Sequence, residues 1–208
     1  MATNLTPTRF ADDTVLSISG SNSTELQNIV NTELDKVDEW LRFNKLSLNY
    51  PKTSYMIASR KNNQLIDFNV KINGKTITRT TCVKYLGVFI EGKLTCSNHI
   101  AYLENKLFRS DGFFYRIRQY LSDTALKSLS FSFVYSHLQF AIGAWGGVGI
   151  TASNQLNVLH NKIIRAMTYS SFRTKVTPLF KKLNLLKLDD IYSLALGNIM
   201  QGYKCHPA

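Results

Sequence analysis

The sequence predicts an α+β protein: short antiparallel strands and one helix over residues 1–97, then helices alone over residues 98–208. Three observations predict this. Brief alternations of apolar and polar residues, bounded by Gly, Pro and Asn, recur before residue 97. One stretch of that half, Leu26 to Leu41, is instead apolar at helical spacing. From Asn98 onward the helical period takes over and holds almost to the end.

In order along the chain, residues 1–9 carry little structural signal. Pro7 stands where the first strand of a hairpin would run, although proline cannot donate to a sheet ladder. Phe10-Ala11-Asp12-Asp13-Thr14-Val15-Leu16 reads as a sharp turn between short strands, with carboxylates at its tip. The strand continues to Ile18, and Gly20-Ser21 stops it. Asn22, with Glu25 three residues on, predicts a helix start. Leu26, Ile29, Val30, Leu34, Val37, Trp40 and Leu41 then form one apolar stripe, and Asn44 is the stop. Leu46 to Asn49 and Tyr55 to Ala58 are short strands on either side of Pro51. Residues 65–72 and 75–81 flank Asn73-Gly74, a strong two-residue hairpin signal because both residues tolerate positive φ. Val83 to Ile90 is a further strand, ended by Glu91-Gly92.

In the second half, Ile100, Leu103, Leu107, Phe114, Ile117 and Leu121 share a helix face, with Arg109 and Arg116 on the opposite side. A second helix is predicted from about Asp123 to Trp145, buried all round. A third turns Leu156, Leu159, Ile163 and Met167 inward and Lys162 and Arg165 outward. Pro178-Leu179-Phe180 and Asp189-Asp190-Ile191 open two more helical pieces. Ser128 to Asn161 lacks any Lys, Arg, Asp or Glu, but its Ser, His and Gln residues and Gly146-Gly147 fit a packed helix better than a membrane span.

The 208 residues hold 25 Lys+Arg against 14 Asp+Glu, a formal charge of +11. Most of the surplus lies after residue 99, which predicts a polyanionic partner, nucleic acid before membrane. Three widely spaced cysteines, Cys82, Cys96 and Cys205, exclude a disulfide framework. Together with the lack of a leader-like opening, they predict an intracellular protein, nuclear or cytoplasmic and not secreted. Cys96-x-x-His99 and Cys205-His206 are zinc-ligand types, but so far apart that buried thiols account for them better. Asp12 and Asp13 are the sharper metal candidates. Neighbouring carboxylates repel unless a cation lies between them, and oxygen-only ligands suit Mg²⁺, although Asp-Asp is also an ordinary surface turn.

The motifs become specific when taken in succession. Phe10-Ala11-Asp12-Asp13 resembles the aromatic-Ala-Asp-Asp signature of reverse transcriptases. The block from Trp40 to Thr53, WLRFNKLSLNYPKT, resembles the next block of non-LTR retrotransposon polymerases. Val83-Lys84-Tyr85-Leu86-Gly87-Val88-Phe89-Ile90 is similar to the block after that, which forms the primer grip. The segment from Leu94 to Ile100 continues the same pattern, and the region from Pro178 to Ile191 is similar to the tail of jockey-like elements. The chain is thus identified as resembling the carboxyl part of a polymerase palm, residues 1–97, followed by a helical thumb, residues 98–208.

The resemblance implies nucleotidyl transfer from a deoxynucleoside triphosphate to a DNA primer 3′-hydroxyl on an RNA template. It also implies two Mg²⁺ ions, with Mn²⁺ as a substitute, about 3.5–4 Å apart. Asp12 and Asp13 would be the catalytic metal ligands. Lys52 would lie by the triphosphate as a proton donor. Lys84, Tyr85, Leu86 and Gly87 would hold the primer end. Arg109, Arg116, Lys162 and Arg165 are candidates for phosphate contact, although solvated helix faces explain them equally well. The family's third carboxylate, its triphosphate-binding fingers and its deoxyribose-selecting block precede the Asp-Asp hairpin, whereas nine residues precede Phe10 here. The expectation is that these residues alone do not polymerise, because positioning supplies most of the rate. The alternative is a non-catalytic, basic nucleic-acid-binding remnant.

Overall fold

The structure, a computed structural model, describes residues 5–11, 13–59, 68–147 and 150–205. It is a mixture of helices and short strands, in keeping with the predicted α+β class. The chain divides into two compact units, Met1–Val83 with Gly92–Leu94, and Lys84–Glu91 with Thr95–Ala208.

In the first unit, β1 (Thr6–Phe10) pairs antiparallel with β2 (Asp13–Ser17), Phe10 opposite Asp13 and Pro7 opposite Leu16. Pro7 therefore lies inside a strand, contrary to the weak structure expected of residues 1–9. A two-stranded ribbon consists of edge strands, the sheet position that tolerates proline. α1 (Ser23–Phe43) starts as predicted, Asn22 Oδ1 accepting the N–H of Thr24 at 3.1 Å. Its apolar stripe is only half used. Val30 and Leu34 pack on a small core of Val70, Ile72 and Ile77, but Trp40 is exposed, with the Arg9 guanidinium 5.8 Å from its ring centre.

What fastens α1 to the strand beside it is polar. Gln27, Asn31 and Asp35 recur every four residues along one line of the helix. They accept the backbone N–H groups of Asn69 at 2.8 Å, Lys71 at 2.9 Å and Asn73 at 3.2 Å, and Asn31 donates to the Asn69 carbonyl at 3.2 Å. Alternate N–H groups of an extended strand point the same way, so a helix with one amide or carboxylate per turn can satisfy three in succession.

β4 (Lys71–Ile72) and β5 (Lys75–Thr76) form the Asn73-Gly74 hairpin, both turn residues at positive φ, +51° and +72°. β3 (Ser54–Tyr55) pairs parallel with β6 (Thr78–Arg79), which corrects the expectation of antiparallel strands throughout. The segment between them is long enough for the crossover that parallel pairing needs.

The second unit opens in the hairpin of β7 (Cys82–Tyr85) and β8 (Val88–Glu91). Its turn is Leu86-Gly87, at φ +45° and +83°, and a Cβ on Gly87 would lie 3.0 Å from the Phe140 ring. α2 (Ser97–Ile117) has no N-capping side chain of its own. The Glu91 carboxylate from β8 fills that place, accepting the Thr95 hydroxyl and the Asn98 N–H. Burial would raise this carboxyl, but those bonds outweigh it and hold it below its usual range.

α2 packs along α6 (Ile150–Met167) through Leu103, Leu107 and Phe114 on one side and Leu156, Ile163 and Ile164 on the other. The predicted helix from Asp123 to Trp145 is interrupted. α3 (Asp123–Ser130) widens into a π-turn at Phe131–Tyr135, resumes as α4 (Ser136–Gln139), and breaks at Ala141, φ +50°, before α5 (Ile142–Trp145). Nor is it buried all round, since Phe131, Phe133 and Phe140 face solvent. The break is held by Trp145, fully buried, whose Nε1–H donates to the Phe140 carbonyl at 2.8 Å. α7 (Val176–Leu183) and α8 (Leu188–Cys205) close the core with Phe180, Leu188 and Ile191. Among the described residues no helix is long and apolar enough to cross a membrane.

Candidate nucleic-acid interface

The motif residues of the first unit sit on exposed backbone. Asp13 begins β2 and is exposed. Its sequence neighbour Asp12 lies outside the described residues. Lys52 ends a 3₁₀ turn at Tyr50–Lys52, where Asn49 Oδ1 accepts its backbone N–H at 3.3 Å, so the turn is self-capped and the ammonium projects freely. Among the described residues no hydrogen bond or ion pair joins Asp13 to Lys52. Nor do any three His, Cys, Asp or Glu residues converge as metal ligands. Asp13 is the one predicted metal ligand among the described residues, and its carboxylate is an oxygen donor of the kind Mg²⁺ takes.

In the second unit the primer-grip block is a tight hairpin. Lys84 Nζ lies 5.7 Å from the ring centres of both Phe89 and Tyr102, which holds the charge against an aromatic face. Tyr85 is half-buried, and its hydroxyl has no hydrogen-bond partner. Leu86 projects at the turn, and Gly87 supplies the positive φ beside it. His99, 1% exposed, stacks on Tyr102 and meets Trp145 at a tilt, and burial lowers its pKa. It is a core histidine, and the zinc reading of Cys96-x-x-His99 finds no support in its surroundings.

The four helix cations separate into two kinds. Arg109 and Arg116 are exposed on α2, Arg116 donating to the Gly112 carbonyl at 3.2 Å. Lys162 and Arg165 are half-buried rather than free on an outer face. Burial raises the Asp111 carboxyl of α2 while the Lys162 charge opposes that rise, so Lys162 sits close to an acid. Arg165 Nε donates to the Thr174 carbonyl at 3.2 Å, pinning the α6–α7 connection.

There Arg165 joins cations not singled out by periodicity. With Arg173, Lys175 and Lys181 it lines an open cleft of about 620 Å³, together with Thr174 and Thr177. Nearby, Arg118 lies 4.3 Å from the Tyr115 ring centre and 4.5 Å from that of Tyr169, its Nη1 donating to the Ala166 carbonyl at 3.3 Å. The signal in the sequence is the stretch from Thr168 to Lys182, which holds four cations, three aromatic residues and no acid.

Comparison with known proteins points the same way. The chain is 22% identical over 187 residues to a probable RNA-directed DNA polymerase from transposon BS of Drosophila melanogaster, covering 87% of this chain and 20% of that one. It is 21% identical over 202 residues to the RNA-directed DNA polymerase from the mobile element jockey of the same organism, covering 95% of this chain and 22% of that one. The chain thus spans about a fifth of the length of these curated relatives. No protein-family model matches it. No solved structure matches it either. In motif order and in these relatives the chain is similar to the reverse transcriptases of non-LTR elements. Within that class the likeness is to the jockey type.

Proposed function

We propose that this chain is the palm-end and thumb part of an RNA-directed DNA polymerase of a jockey-like element, residues 1–97 and 98–208, and that by itself it holds nucleic acid without extending it. Its partners are an RNA template and a DNA primer, and its place of work is inside the cell. The observation that supports this reading best is the likeness to the two polymerases over nearly all of the chain, with the three motif blocks in order. In the whole enzyme Asp12 and Asp13 would bind Mg²⁺, Lys52 would face the triphosphate, and the Lys84–Gly87 hairpin would meet the primer end. For these residues alone the expressed chemistry is electrostatic, since the formal charge is +11 and the exposed Arg109 and Arg116 carry part of it.

Fluorescence anisotropy with a labelled RNA–DNA hybrid tests this. Neutralising about four phosphates would weaken binding by about a hundred-fold between 50 and 200 mM salt. Asp12→Asn with Asp13→Asn should leave that affinity unchanged, and primer extension with Mg²⁺ and deoxynucleotides should yield no product. Absence of salt-dependent hybrid binding overturns the binding half of the proposal, and a product longer than the primer overturns the other.

A further inference from the structure

We infer that the α6–α7 corner of the helical unit is a site for single-stranded nucleic acid, taking the phosphate chain in the Arg165/Arg173/Lys175/Lys181 cleft and unpaired bases on Tyr169 and Phe172. The inference rests on the nucleic-acid reading above but goes beyond it, because a paired template and primer offer no free base faces to a side chain.

Three observations carry it. The cleft, about 620 Å³, is lined by four cations and the two hydroxyl residues Thr174 and Thr177, with no carboxylate among its walls. A pocket of one sign attracts a polyanion and follows its backbone without reading sequence. No side chain caps α7, an eight-residue helix whose first turn opens beside Lys175, so its amino end adds to the positive field.

Aromatic rings belong to the same α6–α7 connection: Phe172 precedes Arg173 in the chain, and Tyr169 lies just past the end of α6. Phe172 is 75% exposed and Tyr169 57%. Each is backed by an arginine, Arg165 at 5.5 Å from the Phe172 ring centre and Arg118 at 4.5 Å from that of Tyr169. Both arginines are tethered to carbonyls, Arg165 to Thr174 and Arg118 to Ala166, so each ring has a fixed cation against it while most of its surface stays in solvent. A ring with one free face and a fixed cation behind it is a stacking platform for a base.

The backbone is also bent to present Tyr169. Its N–H donates to the Ala166 carbonyl at 3.4 Å and that of Ser170 donates to the Arg165 carbonyl at 3.0 Å, the Schellman ending of α6. The left-handed residue of that ending is normally glycine, yet here it is tyrosine, at φ +52°. A tyrosine placed where glycine is easier, and more than half in solvent, has the Arg118 contact to set against the backbone cost.

The test uses the full chain, a labelled oligothymidylate of about 12 nucleotides, and the same RNA–DNA hybrid as a second probe. Phe172→Ala and Tyr169→Gly should each weaken oligothymidylate binding five-fold or more, and leave hybrid binding within two-fold. The glycine variant removes the ring while relieving the backbone, so a loss of binding with an unchanged melting temperature is not a folding defect. If oligothymidylate does not bind, if neither ring substitution weakens it, or if polyglutamate of equal charge protects the site as well as the oligonucleotide does, the inference is overturned. In that event, retained salt-dependent hybrid binding leaves the proposed function standing. Loss of both probes removes both.

Discussion

The two units keep themselves folded by different means. Among the described residues the helical unit has a continuous core of twenty buried residues, from Ile100 to Ile191, with Leu107, Phe114 and Trp145 all but sealed from water. The first unit has, among its described residues, a core cluster of three buried apolar residues, Val70, Ile72 and Ile77, with Leu5 buried apart from it, and the buried side chains of α1 are acids, Glu33 and Asp38. Those acids pair with Lys36 and Arg42, each at 2.9 Å. Its β1–β2 ribbon is exposed on both faces apart from Leu16. Burial of apolar surface is the main force that holds any compact unit together, so the first unit, with little of it, depends far more on directional hydrogen bonds than the second. A two-stranded ribbon with bare faces has backbone edges open to a further strand or partner, whereas the helical unit keeps its centre dry while leaving side chains such as Phe108 and Phe140 in solvent.

The sharpest way to break this contrast is to open a hole on each side of it. Leu107→Ala, at a position wholly out of solvent between α2 and α6, should cost about 3 kcal/mol or more. Ile72→Ala, in the smaller core where neighbours can relax into the gap, should cost about 2 kcal/mol. Urea denaturation followed by a probe in each unit measures both. Equal losses would show that the two cores are packed alike and remove the distinction.

A second test exploits a histidine that only a deep core could hold. His160 is 1% exposed, and its ring meets Tyr135 and Phe180 edge to face with no hydrogen-bond partner on either nitrogen. Burial lowers its pKa to about 4. Burial also pushes up Tyr135, whose hydroxyl donates to the Leu186 carbonyl at 2.6 Å and which senses Asp190. The unfolded chain takes up a proton near pH 6.5, whereas the folded chain refuses it until about pH 4. The stability conferred by the neutral ring is therefore complete above pH 6.5 and is lost as the pH falls through that interval. Across the whole window the loss is about 3 kcal/mol. It should show as a falling urea midpoint for the helical unit, and His160→Phe should flatten the slope. An unchanged slope in that variant would place the acid sensitivity elsewhere.

Much of the helical unit is legible in the sequence because burial there follows a period. Ile100, Leu103, Leu107 and Phe114 fall on one face of α2 by spacing alone, and they are buried together. Asn73-Gly74 and Asn22 are legible for a different reason, since turns and caps depend on a few adjacent residues. What escapes is anything that hydrophobicity cannot encode. The π-turn at Phe131–Tyr135 and the break at Ala141 sit in a run without charged residues, which reads as one helix however it is bent. Trp40 fits the helical stripe, yet its side chain is exposed. At the candidate interface, charge is visible in the sequence but convergence is not. By spacing, Lys162 and Arg165 form a solvated pair, and only the fold shows one beside Asp111 and the other bonded to Thr174. Arg173, Lys175 and Lys181 have no period at all; a short connection between α6 and α7 gathers them round one cleft.

The smallest effect is the most informative about the first unit. Asn31 donates to the Asn69 carbonyl and accepts from the Lys71 N–H, so one amide satisfies both sides of a backbone step. Asn31→Ala leaves the Lys71 N–H without its partner and should cost about 1 kcal/mol. Asn31→Asp keeps the acceptor for the Lys71 N–H but sets an oxygen against the Asn69 carbonyl, so exchange at Lys71 should stay slower than in the alanine variant. Amide exchange resolves the difference locally. In the alanine variant exchange at Lys71 should quicken by about five-fold, with the α2 and α6 amides unmoved. The ordering alanine worse than aspartate is the decisive point, because simple loss of side-chain volume would make the two variants differ in the same direction at Lys71 and at Ile72. Acceleration confined to Lys71 therefore identifies the polar seam, and not the three-residue core alone, as what keeps α1 on its strand.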